Sequence, residues 1–149
     1  MSSTAYFSPN GGAEAALIAA IDAAEIGVFG LLNMYQSGPI HEALLAAQIR
    51  VGGSIFIFDK RMLFQQKQRF IELLDAGALL YYDIFEKQIH SQYIIIDSYL
   101  VFSGSYLYTY TSETRYADNL IKFDDTDLYV QFAANFFYHM DHARPIIFP

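Results

Sequence analysis

The sequence has no cysteine. That excludes a disulfide framework and any thiolate metal site, and it fits a cytoplasmic or a periplasm-like compartment equally. It also lacks a run of about 18 apolar residues, so no membrane span is expected. The start, Met1-Ser2-Ser3-Thr4, offers neither a charged segment nor an apolar one, so no signal peptide is read there. Low-complexity tracts, linkers and internal repeats are missing as well. Basic residues are few: 9 Lys and Arg stand against 16 Asp and Glu, for a formal net charge of −7. A protein that grips a polyanion usually carries a basic excess, so this balance makes nucleic acid a doubtful partner, a local basic patch aside.

What is present is apolar and aromatic. Over half the residues are hydrophobic, at 54%, and 17% are aromatic, which excludes disorder. At 149 residues the chain is long enough for one domain, 1–149, with a sizeable core. Thr4 to Ser8 reads as a strand and Pro9-Asn10-Gly11-Gly12 as a turn. Ala13 to Ala24 is an Ala-rich helix with Leu17, Ile18 and Ile21 on its apolar face. Ile26 to Leu32 is too continuously apolar to alternate, as expected of a buried strand. Pro39 opens a helix to about Arg50, with Ile40, Leu44, Leu45 and Ile49 inward. Ser54 to Phe58 is a second buried strand, with Asp59, Lys60 and Arg61 at its C-terminal end, where α/β proteins tend to place polar function. Met62 to Asp75 reads as a helix that Gly77 caps, and Ala78 to Tyr82 as a strand. Asp83 to Gln88 is a loop, Tyr110 to Tyr116 a loop or broken helix, and Asp118 to Phe123 a strand. Asp124-Asp125-Thr126-Asp127 gives an N-cap and first-turn acids to a last helix that runs to about Met140, followed by a short apolar tail. Alternating strands and helices, then a hairpin, predict an α/β sandwich with a mixed sheet flanked by helices.

The chemistry-bearing stretch runs from His90 to Thr109. An apolar run, Tyr93 to Ile96, has His90 before it and Asp97 after it. A second run, Leu100 to Phe102, ends in Ser103-Gly104-Ser105. Two short strands with a tight turn would bring His90 and the Gly-Ser turn to one sheet edge.

These residues resemble the phospholipase D superfamily, whose motif is His-x-Lys-x-x-x-x-Asp followed by Gly-Ser-x-Asn-x-Thr. The matching positions here are His90, Gln92 and Asp97, then Gly104, Ser105, Leu107 and Thr109. Tyr6-Phe7-Ser8-Pro9, the Ala-rich segment and Asp118-Asn119 extend the likeness to the short, single-motif, endonuclease-like members. Two positions depart from the motif: Gln92 replaces its lysine and Leu107 its asparagine. The resemblance implies a phosphodiesterase in which His90 attacks phosphorus and forms a phosphohistidine, with no metal and no cofactor. Asp118 would orient the histidine, as the third member of a triad does. Gln92, Ser105 and Asn119 would face the phosphodiester, and Asp97, Gly104 and Thr109 would be structural. His41, His139 and His142 begin no second motif, so a two-histidine mechanism implies a homodimer with the site on its twofold axis.

Each residue also has a bland role. A lone histidine beside a strand is more often structural, and Asp97 can simply bond backbone in a turn. Tyr106, Tyr108 and Tyr110 could stack bases, but in an acidic chain packing is the commoner use. Gln92 supplies only a neutral donor where lysine brings a full charge. A charge-assisted bond is roughly twice as strong as a neutral one. Loss of one oxyanion donor costs about 10²–10³ in rate. Hydrolysis is therefore expected to be weak or lost, unless Lys60, Arg61 or Lys87 restores the charge.

Overall fold

The apolar runs Val28–Leu32 (β2) and Ile55–Phe58 (β3) pair in parallel at the centre of a sheet, and most of their side chains are buried. A central parallel strand is covered on both faces, which is why neither run alternates. In the computed structural model, which describes residues 1–149, the remaining strands are Ser2–Phe7 (β1), Leu79–Tyr82 (β4), Tyr93–Ile96 (β5), Leu100–Ser103 (β6), Asn119–Asp124 (β7) and Arg144–Pro145 (β8). All eight form one mixed sheet in the order β1-β7-β6-β5-β2-β3-β4-β8. The helices are Ala13–Asp22 (α1), Gly38–Val51 (α2), Met62–Gln65 (α3), Lys67–Asp75 (α4), Tyr110–Thr114 (α5) and Thr126–Met140 (α6). Helices α1, α2 and α4 cover one face, burying Leu17, Ile21, Leu44, Phe70 and Leu73 against Phe56, Phe58, Ile94 and Phe102. Helix α6 covers the other, where Phe136 packs with Leu31, Ile57, Ile95 and Val101. The expected α/β architecture with a mixed sheet is the one observed.

Some local readings shift. The segment Met62 to Asp75 is two helices, not one, because Gln66 leaves helical geometry at φ −123° and ψ 24°. Ile49 points outward at 72% exposure, since α2 buries the arc of Ile40, Ala43, Leu44 and Ala47. The apolar tail supplies β8, which pairs antiparallel with β4. No helix is long and apolar enough to cross a membrane.

Strand directions decide what meets where. β5 is antiparallel to both β2 and β6, and β6 to β7. One edge of the sheet therefore collects the ends of β1, β2, β3, β4 and β6 and the starts of β5 and β7. His90, Ser103 to Ser105, Asp118 and Asn119 share that edge, and Asp97 lies at the opposite one.

Candidate active site at the sheet edge

His90 stands exposed just before β5, and its Nε2 donates to Gln88 Oε1 at 2.9 Å. The chain leading to it is pinned at Ile89. The Ile89 N–H donates to Asp59 Oδ2 at 2.8 Å, and its carbonyl accepts from the Asn33 side-chain amide. Burial pushes the Asp59 carboxyl up. Bonds from the Arg61 side chain and from the Arg61 and Ile89 backbone outweigh it and hold the group below the usual carboxylate range. The polar residue after β3 thus serves the site by fixing the backbone that carries His90. Arg61, a candidate replacement charge, is occupied by Asp59 at 2.8 Å. Lys87 instead lines the open depression beside His90, together with Glu86 and Gln88.

Gln92 corrects the sequence reading. There its amide faces phosphate; in the fold its side chain is 4% exposed and bonded only to backbone. Its Oε1 accepts from the N–H groups of Asn33 and Met34 at 3.1 and 3.2 Å. Its Nε2 donates to the Tyr106 carbonyl at 2.5 Å. A glutamine can accept and donate at once, so it ties the end of β2 to the segment after β6; a lysine could not accept.

The Gly-Ser turn is built against β7. Gly104 has φ 155°, and a Cβ there would lie 2.3 Å from the Asn119 carbonyl oxygen, so the approach requires glycine. That carbonyl accepts from the Tyr106 N–H at 2.9 Å. Ser105 Oγ accepts from the Asn119 N–H at 3.1 Å. Asp118 is held through its backbone, which exchanges bonds with Ser8: Asp118 N–H to Ser8 Oγ at 3.0 Å and Ser8 N–H to the Asp118 carbonyl at 2.9 Å. Its carboxylate makes no hydrogen bond to His90 within the chain, so the two share the edge without the triad contact that the sequence implies. Ser105 and Asn119 are neighbours across β6 and β7.

Asp97 and Thr109 bond to backbone. Asp97 accepts from the N–H groups of Glu25, Ile26 and Gly27 at 2.9, 2.8 and 3.1 Å. Thr109 caps α5, its Oγ1 accepting from the Ser112 N–H at 3.0 Å. Tyr106 and Tyr108 are fully buried in the core, and only Tyr110 of the three is exposed. Leu107 is half-buried, its N–H bonded to Ser112 Oγ at 3.2 Å.

One constellation at this edge escapes the sequence reading. Asp83, Glu86, His139 and His142 converge at the end of β4 and the C-terminus of α6. The signal was available in two i, i+3 pairs, Asp83 with Glu86 and His139 with His142, but nothing local says that the pairs meet.

No family model matches the chain. It is 28% identical over 131 residues to the phospholipase D of Rickettsia prowazekii, covering 88% of this chain and 64% of that protein. The chain thus spans less than two thirds of that relative's length. Among solved structures, Nuc from Salmonella typhimurium, a phospholipase D family member, superposes with a TM-score of 0.90 at 23% identity over 97% of both chains. NucT from Helicobacter pylori superposes with a TM-score of 0.85 at 19% identity, over 97% of this chain and 98% of that one. With the motif positions seated on the strands described above, the chain has the fold of Nuc and NucT and is similar in sequence to the rickettsial phospholipases D.

Proposed function

We propose that this protein is a degenerate member of the superfamily, with hydrolysis weak or lost, that works as a dimeric binding module derived from a phosphate site. The observation that carries this reading is the Gln92 carboxamide. It is buried, and its donor and acceptor are both engaged by backbone. A charge on the phosphoryl oxygens needs fixed donors aimed at it. At this edge the motif lysine has become a structural tie, and the motif asparagine has become an aliphatic Leu107. Arg61 is held by Asp59, and Lys87 is a cation beside His90.

A second reading, an active metal-independent phosphodiesterase or endonuclease, is favoured by the exposure of His90. Its ring bonds only to Gln88 within the chain, so in this reading the neutral imidazole supplies the nucleophilic nitrogen. Attack on phosphorus would form an N–P bond and break the bond to the leaving oxygen. The second histidine of a dimer would protonate that oxygen and then activate water. Asp118 would have to reach His90 in the ligand-bound state or across the dimer.

The test compares wild type with His90→Ala on a chromogenic phosphodiester, bis(p-nitrophenyl) phosphate, in buffer without added divalent metal. Equal background rates in both are expected. Turnover that disappears in His90→Ala would replace the first reading by the second.

A further inference from the structure

We propose that Asp83, Glu86, His139 and His142 form a binding site for one divalent ion of the zinc class, separate from His90, which locks the loop carrying His90 onto α6. The donor set is two imidazoles and two carboxylates, the hard-to-borderline mixture that zinc takes. One atom from each residue, His139 Nδ1, His142 Nε2, Asp83 Oδ2 and a Glu86 carboxylate oxygen, points to a common centre, and all four lie within 4.8 Å of one another. The separations are 2.7 Å from His139 Nδ1 to Asp83 Oδ2 and 3.0 Å from His142 Nε2 to the same oxygen. To Glu86 Oε2 they are 3.8 Å from His139 and 3.3 Å from His142. A tetrahedral ion with bonds of about 2.0–2.1 Å needs ligand atoms roughly 3.3 Å apart, and these four distances bracket that value. Small adjustments of side-chain rotamers complete the tetrahedron.

Two further observations point to an ion. Glu86 Oε2 is shielded from solvent and makes no hydrogen bond, an unmet acceptor aimed into the cluster. Two carboxylates share one partly buried centre, and a divalent cation with two neutral imidazoles cancels their charge. The surroundings hold the ligands in place. The Phe85 N–H donates to Asp83 Oδ1 at 2.9 Å. The Phe85 ring stacks on His142 with centroids 4.2 Å apart and an interplanar angle of 8°. Tyr138 meets both histidines edge-on. Ligands oriented by a hydrogen bond and by ring contacts are part of what metal sites require beyond the donors themselves.

The role is structural. All four coordination positions are protein-filled, which leaves none for water or substrate. Asp83 and Glu86 belong to the loop that runs through Lys87, Gln88 and Ile89 into His90. The ion would join that loop to the end of α6, next to the tie from Asp59 to Ile89.

The experiment titrates zinc chloride into the full chain after dialysis against chelator, by calorimetry, with cobalt as an absorption probe of tetrahedral geometry. One ion per chain is expected, with a rise in thermal midpoint when zinc is added. His139→Asn with His142→Asn is expected to weaken binding about 100-fold or more, and His90→Ala to leave it unchanged. Glu86→Gln changes a half-exposed side chain and keeps the fold, so it decides the matter if the double variant does not fold; a loss of about ten-fold or more is expected. Zinc binding as tightly to Glu86→Gln as to wild type would overturn the site. So would a wild type that takes up no zinc and whose midpoint does not move, which would leave only histidine–carboxylate ion pairs.

Discussion

Gln92 and His90 sit two residues apart and have opposite fates. His90 is free at the surface, and Gln92 is spent inside. Gln92→Ala removes the acceptor for the Asn33 and Met34 N–H groups and the donor to Tyr106. Buried backbone groups left unmet cost about 1–3 kcal/mol, so a loss of about 2–3 kcal/mol is expected. A lower urea midpoint at unchanged slope would show it; a midpoint equal to wild type would mean that water replaces the bonds. Gln92→Lys with Leu107→Asn restores the motif letters, yet it strands the same two N–H groups. Any gain in hydrolysis has to be read against a smaller folded fraction. Where the resembled motif has lysine, Gln92 is more than a neutral substitute: it ties backbone from two sides and belongs to the scaffold.

At the level of elements, the hairpin β5–β6 is fastened at both ends. Its turn side is held by Asp97, which receives three N–H groups from the segment joining α1 to β2. Burial pushes the Asp97 carboxyl up, but the bonds from Glu25, Ile26 and Gly27 and the charge of Arg50 bring it below the ordinary value of 3.8. A folded-state value below the unfolded one contributes stability that is complete above the unfolded value. It is lost as pH falls through the folded value. Asp97→Asn lacks this contribution at every pH. The stability gap between the two proteins is therefore expected to be widest near neutrality and to close below about pH 4. Denaturant melts at a series of pH values measure it, and a gap that widens on acidification would contradict the assignment. The His90 side of the same hairpin is fastened to β7: Gly104 against the Asn119 carbonyl, and Ser105 Oγ on the Asn119 N–H. The motif letters therefore divide by edge, with Asp97 anchoring one end of β5 and His90 exposed at the other.

For the molecule as a whole, the expectation is a homodimer joined at the His90 edge. Beside Asp118 and Asn119 that edge carries two exposed rings, Phe7 at 64% and Tyr116 at 56%. Large exposed aromatics next to a polar site suit an interface between copies. Sedimentation at micromolar concentration is expected to give twice the 16.9 kDa chain mass. Phe7→Ser with Tyr116→Ser is expected to shift it to the monomer. A monomeric wild type would remove the twofold site, and with it any two-histidine chemistry. The net charge of −7 makes a like-charged partner such as a nucleic acid unfavourable over most of the surface, so binding has to be local.

Much of this architecture is legible along the chain, because burial imposes short periods. The continuous apolar runs of β2 and β3 announce a sheet covered on both faces, and the spacing from His90 to Asp97 equals one strand with its flanks. The run Asp124 to Asp127 announces α6, and the structure makes Asp125 the cap, accepting from the Leu128 N–H at 3.1 Å. What no local pattern contains is the partner of a side chain far away in sequence. Gln92 meets Asn33, and Asp83 meets His139, only because chain crossings bring distant strand ends to one edge. The sequence by itself determined the strands, the helices and the motif register. Tertiary structure decided that Gln92 turns inward, that Asp118 makes no hydrogen bond to His90 within one chain, and that two spaced pairs close around a common centre. Period and propensity act over a few residues, whereas the burial of a polar group is settled by whatever the fold places beside it.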